Sequence, residues 1–181
     1  MAEKTGKLSK RRPKQDRSKA TIEVILRASA HILESEGYPA FSTNHIAQIA
    51  GVSVGSIYQY FATKERILAV LIERHFDKLD SLFEKTMNEV IHAPMELATR
   101  EVIRTMLAVH VVNPKLHRVL NEQIPKVGQS ARFEKHHRHG MKLLRQYLEA
   151  HKNDLRIRNL DLGSLLIIKA MDSIVHSVVH D

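Results

Sequence analysis

The chain has 181 residues, a net charge of +8 and no cysteine, which allows one domain or two small ones with a real core and excludes disulfides, thiolate metal sites and a cysteine nucleophile. Apolar residues make up 43%, enough to fold, but no run approaches the roughly 18 uninterrupted apolar residues of a membrane span. The N-terminus also lacks the apolar stretch of a secretory signal, so a soluble, cytoplasmic protein with no membrane partner is expected.

The charge is unevenly placed. Residues 1–20 hold eight Lys or Arg and two acids, which accounts for +6 of the total. Residues 1–16, which include Pro13, read as a basic flexible arm, with a plain solvated tail as the alternative for residues 1–8. With seven Gly, five Pro and no regular alternation of apolar and polar residues, the remainder reads as all-α.

The first helix is expected from Arg17 to Glu36, with Ile22, Ile25, Leu26, Ile32 and Leu33 at helical spacing and Gly37 as its stop. Ser42 or Thr43 caps a second helix that ends at Ala50. Its inward face is expected to be Ile46, Ile49 and Ala50. Phe41 before the cap and Ile46 after it have the spacing of a hydrophobic staple. Gly51 supplies the turn, and Ser53 caps a third helix running to about Tyr60. Thr63 caps a fourth, long helix over 64–91, with Glu65 suitably placed in its first turn. Pro94 opens a fifth helix to about Val112, and Pro114 opens a sixth that ends near Pro125. A seventh spans roughly 127–151 and an eighth 160–180.

Residues 42–60, STNHIAQIAGVSVGSIYQY, carry the most information. Two short helices meet across a tight glycine turn, and the second is too polar to be a core element. That is the pattern of a helix-turn-helix, whose second helix enters the major groove of DNA. The string Ile46-Ala47-x-x-Ala50-Gly51-Val52-Ser53-x-Gly55-x-Ile57-Tyr58-x-Tyr60-Phe61-x-x-Lys64-Glu65-x-Ile67-Leu68 resembles the DNA-binding domain of the TetR family of bacterial transcriptional regulators, over about residues 17–70. The resemblance implies a three-helix DNA-binding domain over 17–63, followed by a larger helical domain over 64–181 for effector binding and dimerisation. It further implies a homodimeric repressor that a small molecule releases from operator DNA.

Ser42, Thr43 and Ser53 lie at helix N-termini, where a hydroxyl and unpaired N–H groups suit a phosphate; plain capping is compatible with that. Gly55 has no side chain and lets the backbone approach DNA. Val54, Ser56 and Gln59 are the expected base readers, since Gln can bond adenine bidentately and Val can pack on a thymine methyl. By resemblance Tyr58, Tyr60 and Lys64 reach phosphates, although Tyr58 has half-buried packing as an alternative. His45 is a further candidate for the DNA backbone. Arg17, with Lys14 and Arg12, is expected to follow the adjacent minor groove.

In the C-terminal half the resemblance implies a cavity, for which Phe83, Met87, Met106, His110, His117, Phe133, His137 and Met141 are candidates. Ordinary core packing is the alternative for each. The last helix is apolar almost all round and must bury two faces. Leu160, Ile167, Met171, Ile174 and Val178 form the stripe expected to face a second chain, and Leu165, Ile168, Val175 and Val179 form another. The sequence stops at Asp181 within an apolar helix, so either a final helix is missing or the seventh and eighth helices form the dimer contact.

The histidines His136-His137-x-His139 and His176-x-x-x-His180 invite a metal reading, but His136 and His137 fall on different faces and no carboxylate completes a site, although Glu134 and Asp172 are near. No metal and no cofactor are therefore expected. There is no nucleophile–base constellation and no phosphate-binding glycine loop, which argues against an enzyme. A basic-tailed scaffold for anionic lipid or protein remains as an alternative, and it leaves the turn chemistry at 51–55 unexplained.

Overall fold

The structure, a computed structural model, describes residues 11–180, with the side chains at 11–14, 109–112, 172 and 175–180 outside the description. Within that range there are eight α-helices and no strand: α1 Arg11–Ser35, α2 Thr43–Ala50, α3 Val54–Tyr60, α4 Lys64–Val90, α5 Met95–Val112, α6 Pro114–Gln123, α7 Ser130–Ala150 and α8 Leu160–His180. The chain divides into two compact units, Met1–Ile67 and Leu68–Asp181.

Helix α1 begins at Arg11, six residues before the expected start at Arg17. Pro13 does not prevent this, because a proline in the first turn lacks only an N–H that would be unpaired anyway. The expected arm of residues 1–16 is thus helical from Arg11, and residues 1–10 lie outside the described residues. In the first unit Ile25, Leu26, Ile32 and Leu33 of α1 are buried with Phe41, Ile46, Ile57, Phe61 and Ile67. The division falls at Ile67 rather than 63/64, and the first turn of α4 has a reason to belong here. Lys64 Nζ donates to the Phe41 carbonyl at 3.1 Å and lies 5.1 Å from the centre of the Tyr38 ring.

In the second unit α8 packs on α7 and α5. The core is built from Met87, Val90, Ala98, Val102, Leu143, Leu144, Tyr147, Leu148 and Ile168. Tyr147 donates from its hydroxyl to the Ala93 carbonyl at 2.9 Å, and His151 Nε2 lies 3.0 Å from the Ile91 carbonyl. These two bonds fix α7 against the turn between α4 and α5. Helix α7 starts at Ser130, three residues later than expected. Residues Pro125–Val127 form a 3-10 turn, and Gly128 follows in the left-handed region at φ 70°.

The stripe expected on the outer face of α8 is largely turned inward. Leu160, Ile167 and Met171 pack against the core of their own unit, whereas Ile174 of that stripe is exposed, as are Leu162, Leu165 and Leu166, the last by 60%. On a helix apolar nearly all round, periodicity does not single out one face. The packing of Ile168 against α7 at Gly140 sets the rotation instead. Val178 lies outside the described side chains.

Candidate functional site

The turn between α2 and α3 follows from three residues. Ser42 caps α2, its hydroxyl accepting from the His45 N–H at 3.3 Å. Gly51 ends α2 in the left-handed region at φ 66° and ψ 33°, which glycine adopts without steric cost. Its N–H faces the carbonyls of Ala47 and Gln48, and the Val52 N–H bonds back to Ala47 at 3.1 Å. Ser53 then caps α3 by accepting from the Ser56 N–H at 3.0 Å, and the two hydroxyls are 2.8 Å apart. Ile57 is fully buried and anchors α3.

What α3 leaves outside is uncharged. Gly55, Tyr58 and Gln59 are exposed, Tyr58 by 54%, and Val54 and Ser56 are half-exposed. The packing alternative for Tyr58 therefore does not describe its position. A Cβ on Gly55 would meet only Ser53 Oγ at 3.8 Å, an ordinary contact, so the fold itself does not require glycine there.

One expectation is overturned, and three candidate DNA contacts also bond within the fold. Ile49 faces outward, 45% exposed, rather than into the core; the inward residues of α2 are Ile46 and Ala47. His45 turns back onto its own unit, with Nδ1 3.2 Å from the Ala40 carbonyl and Nε2 3.5 Å from Glu36. Tyr60 donates from its hydroxyl to Ser18 Oγ at 3.4 Å and holds α3 against α1 beside the exposed Arg17. Lys64 uses one of its three donors on Phe41. The partners of His45, Tyr60 and Lys64 are distant in sequence or on another element, which local reading does not reach. Asn44 and Gln48 are also exposed on α2, opposite Ile46 and Ala47.

The second unit holds a cavity of about 510 Å³. Of the residues expected to line it, Phe83, Met106, His117, Phe133 and His137 do so. Met87 and Met141 belong instead to the core and its packing layer, since a flexible thioether fills either environment. The His110 side chain lies outside the description. Phe76, Asn121 and His136 also line the cavity and were not anticipated.

One wall is held by an ion cluster. Arg132 Nη2 lies 2.9 Å from Asp77 and 2.8 Å from Asp80, and His136 Nδ1 lies 2.5 Å from Asp80. Burial by itself would raise the pKa of Asp80, but hydrogen bonds from His136 and Arg132 outweigh it and hold the carboxyl below its ordinary value. His137 instead meets Phe133 edge-on, with ring centres 4.5 Å apart, and His139 faces Glu84 at 3.7 Å. The three neighbouring histidines thus have three different partners. Among the described residues no group of three His, Asp or Glu could hold a metal ion, and no helix is long and apolar enough to cross a membrane.

This arrangement, a capped helix pair on a glycine turn joined to a helical unit with a cavity, is matched in known proteins. Residues 25–71 match the model for bacterial regulatory proteins of the tetR family, and residues 94–181 match that for a tetracyclin repressor-like C-terminal domain. The chain belongs to the TetR family. The nucleoid occlusion factor SlmA of Glaesserella parasuis is 29% identical over 125 residues, covering 66% of this chain and 56% of that protein. The HTH-type transcriptional repressor KstR of Rhodococcus jostii is 29% identical over 82 residues, covering 45% of this chain and 39% of that protein. The chain thus spans about half the length of the curated relatives it matches. Among solved structures, the fatty acid degradation regulator FadR of Bacillus halodurans superposes with a TM-score of 0.69 at 21% identity, over 88% of this chain and 84% of that one. The TetR family regulator PfmR of Thermus thermophilus gives 0.64 at 21%, over 84% of each chain. These likenesses establish the fold.

Proposed function

We propose that the chain is a sequence-specific DNA-binding transcriptional regulator of the bacterial cytoplasm, which represses as a homodimer and leaves its operator when a small molecule enters the cavity. The observation that carries this reading is the Gly51 turn, which sets α3 on α2 with Gly55, Tyr58 and Gln59 outward. Ser42, Thr43 and Ser53 place hydroxyls and helix N-termini beside the phosphates. Val54, Ser56 and Gln59 face base edges, and Tyr58 and the remaining donors of Lys64 meet the backbone. Arg17 and the basic residues before it supply attraction along the adjacent groove. Gly55 admits the DNA backbone.

Leu162, Leu165 and Leu166 share one exposed face of α8, and apolar faces of this kind mark interaction sites. A two-fold dimer through it sets two recognition helices one turn of DNA apart, about 34–36 Å. Ligand and DNA then oppose each other through one coupling energy. The curated relatives named nucleoid occlusion factor favour a second reading, in which DNA binding serves nucleoid occlusion.

Selection from a random duplex pool tests the proposal. One enriched sequence with two half-sites is expected; equal affinity for all duplexes and for anionic vesicles would support the scaffold alternative. Gly55→Ala gives a sharper check. The variant is expected to be as stable as the parent, or more stable by up to about 1 kcal/mol, and to bind the selected duplex more weakly. Unchanged binding would remove the close-approach role of Gly55.

A further inference from the structure

One position in the first turn of α2 breaks a local rule. Helices α2 and α3 hold no Lys, Arg, Asp or Glu, so His45 is the one group on them, apart from the phenols of Tyr58 and Tyr60, that changes charge. It stands three residues after the Ser42 cap, and its own N–H donates to the Ser42 hydroxyl at 3.3 Å. Glu or Gln is favoured at that position, because it reaches back to the N–H of the cap, and a carboxylate also matches the positive end of the helix dipole. A carboxylate there would repel a phosphate arriving at the same helix N-terminus. A cation opposes the dipole in the free protein and gains attraction once the phosphate is present.

The half-buried ring is set for the charged form. Nδ1 lies 3.2 Å from the Ala40 carbonyl and Nε2 lies 3.5 Å from a Glu36 carboxylate oxygen. Both oxygens only accept. Neutral imidazole points its one proton at one of them and a lone pair at the other, whereas imidazolium suits both. Glu36 is the only ion partner of the ring among the described residues. Lys64, at the start of α4, is directed to the Phe41 carbonyl and the Tyr38 ring, and Tyr38 itself stacks on Phe41. His31, the other histidine of the N-terminal unit, is exposed on α1.

We infer that DNA binding takes up a proton at His45, whose imidazolium, braced by Glu36 and Ala40, is a positioning residue that adds positive charge to the phosphate-facing N-terminus of α2. Binding and protonation then favour each other. The charge is present below the histidine range and is lost as the pH rises through it, about pH 6–7, so affinity falls from pH 6 to pH 8. This rests on the reading of α2 and α3 as a DNA-binding pair and adds a proton-dependent control within that pair.

Fluorescence anisotropy with the selected duplex and with a random duplex, at fixed salt and at pH 6, 7 and 8, tests it. The parent is expected to bind about three- to tenfold more weakly at pH 8 than at pH 6, the scale of one added charge near a phosphate in a largely solvated site. His45→Gln places a favoured, uncharged residue at the same position and should lose most of that fall. The α-amino group and the other histidines titrate in the same range, but parent and variant share them, so the difference between the two profiles belongs to His45. Should His45→Gln unfold, Glu36→Gln removes the carboxylate brace instead and should move the fall to lower pH. A parent profile flat from pH 6 to pH 8, or an equal fall in parent and His45→Gln, overturns the inference. The random duplex keeps the two readings apart. Preference for the selected duplex with no contribution from His45 leaves the regulator standing and removes the proton linkage. Equal affinity for both duplexes, with the fall still lost in His45→Gln, leaves the linkage standing and removes sequence-specific regulation. No saturable binding of either duplex at pH 6 overturns both.

Discussion

Phe41→Ala is expected to lower the stability of the N-terminal unit by about 3–5 kcal/mol, the largest single loss among substitutions that leave the DNA-facing side chains in place. Phe41 is 0% exposed and stacks on Tyr38 with ring centres 6.0 Å apart. Its carbonyl also accepts from Lys64. Removing the ring opens a cavity under the N-terminus of α2 and loosens the ground on which α3 is set. Denaturant unfolding followed by circular dichroism should show an early transition absent from the parent, with operator binding lost in parallel. Ligand binding in the second unit should persist. A loss below about 1 kcal/mol, the scale of an ordinary substitution, would mean that Phe41 does not organise the unit.

Asp80→Ala is expected to cost about 3 kcal/mol, toward the low end for breaking a buried ion pair. Arg132 is only 12% exposed at its side chain and would keep Asp77 alone, itself 74% exposed. His136 would lose its partner on the cavity wall. The pH dependence has a definite sign. The folded pKa of Asp80 lies below the ordinary value, so its contribution is fully present above about pH 4 and is lost as the pH falls through the folded pKa. Melting temperatures of parent and Asp80→Asn should therefore differ most near neutrality and converge in acid. A gap that widened below pH 4 would contradict the cluster's role.

Sequence reading reached the elements whose causes are local. Serine at an N-cap and glycine in the left-handed region act within four residues, so Ser42, Gly51 and Ser53 marked the α2–α3 turn directly. The cap of α4 was equally legible, since Thr63 Oγ1 accepts from the Arg66 N–H at 3.2 Å. Long-range contacts decided the rest. Lys64 looks like a free cation at a helix start until Phe41, 23 residues away, takes one of its donors. His45 has the same history with Glu36 and Ala40. Helix α8 carried too many apolar residues for its outer face to be read: Ile174 of the expected stripe is exposed, but so are Leu162, Leu165 and Leu166, while Leu160, Ile167 and Met171 pack inward. In the cavity Phe133 and His137 were legible as an i,i+4 ring pair. Asn121 was not anticipated, although it stands four residues from His117 on α6; only the further contact of His117 to His75 on α4 lies beyond local reading.

The charge distribution frames the central claim. Residues 21–63 hold one basic and three acidic residues, and α2 and α3 carry no Lys, Arg, Asp or Glu. Attraction to the polyanion therefore falls to the basic residues before and at the start of α1 and to Lys64, and sequence to neutral side chains. The direct measurement is the affinity of parent and Gln59→Ala for the selected duplex and its single-base variants at several salt concentrations. The account predicts that Gln59→Ala loses about 1–3 kcal/mol of discrimination at one base position and keeps the salt slope of the parent. A uniform loss across all duplexes with the slope lowered by about one unit, and base preference unchanged, would contradict it.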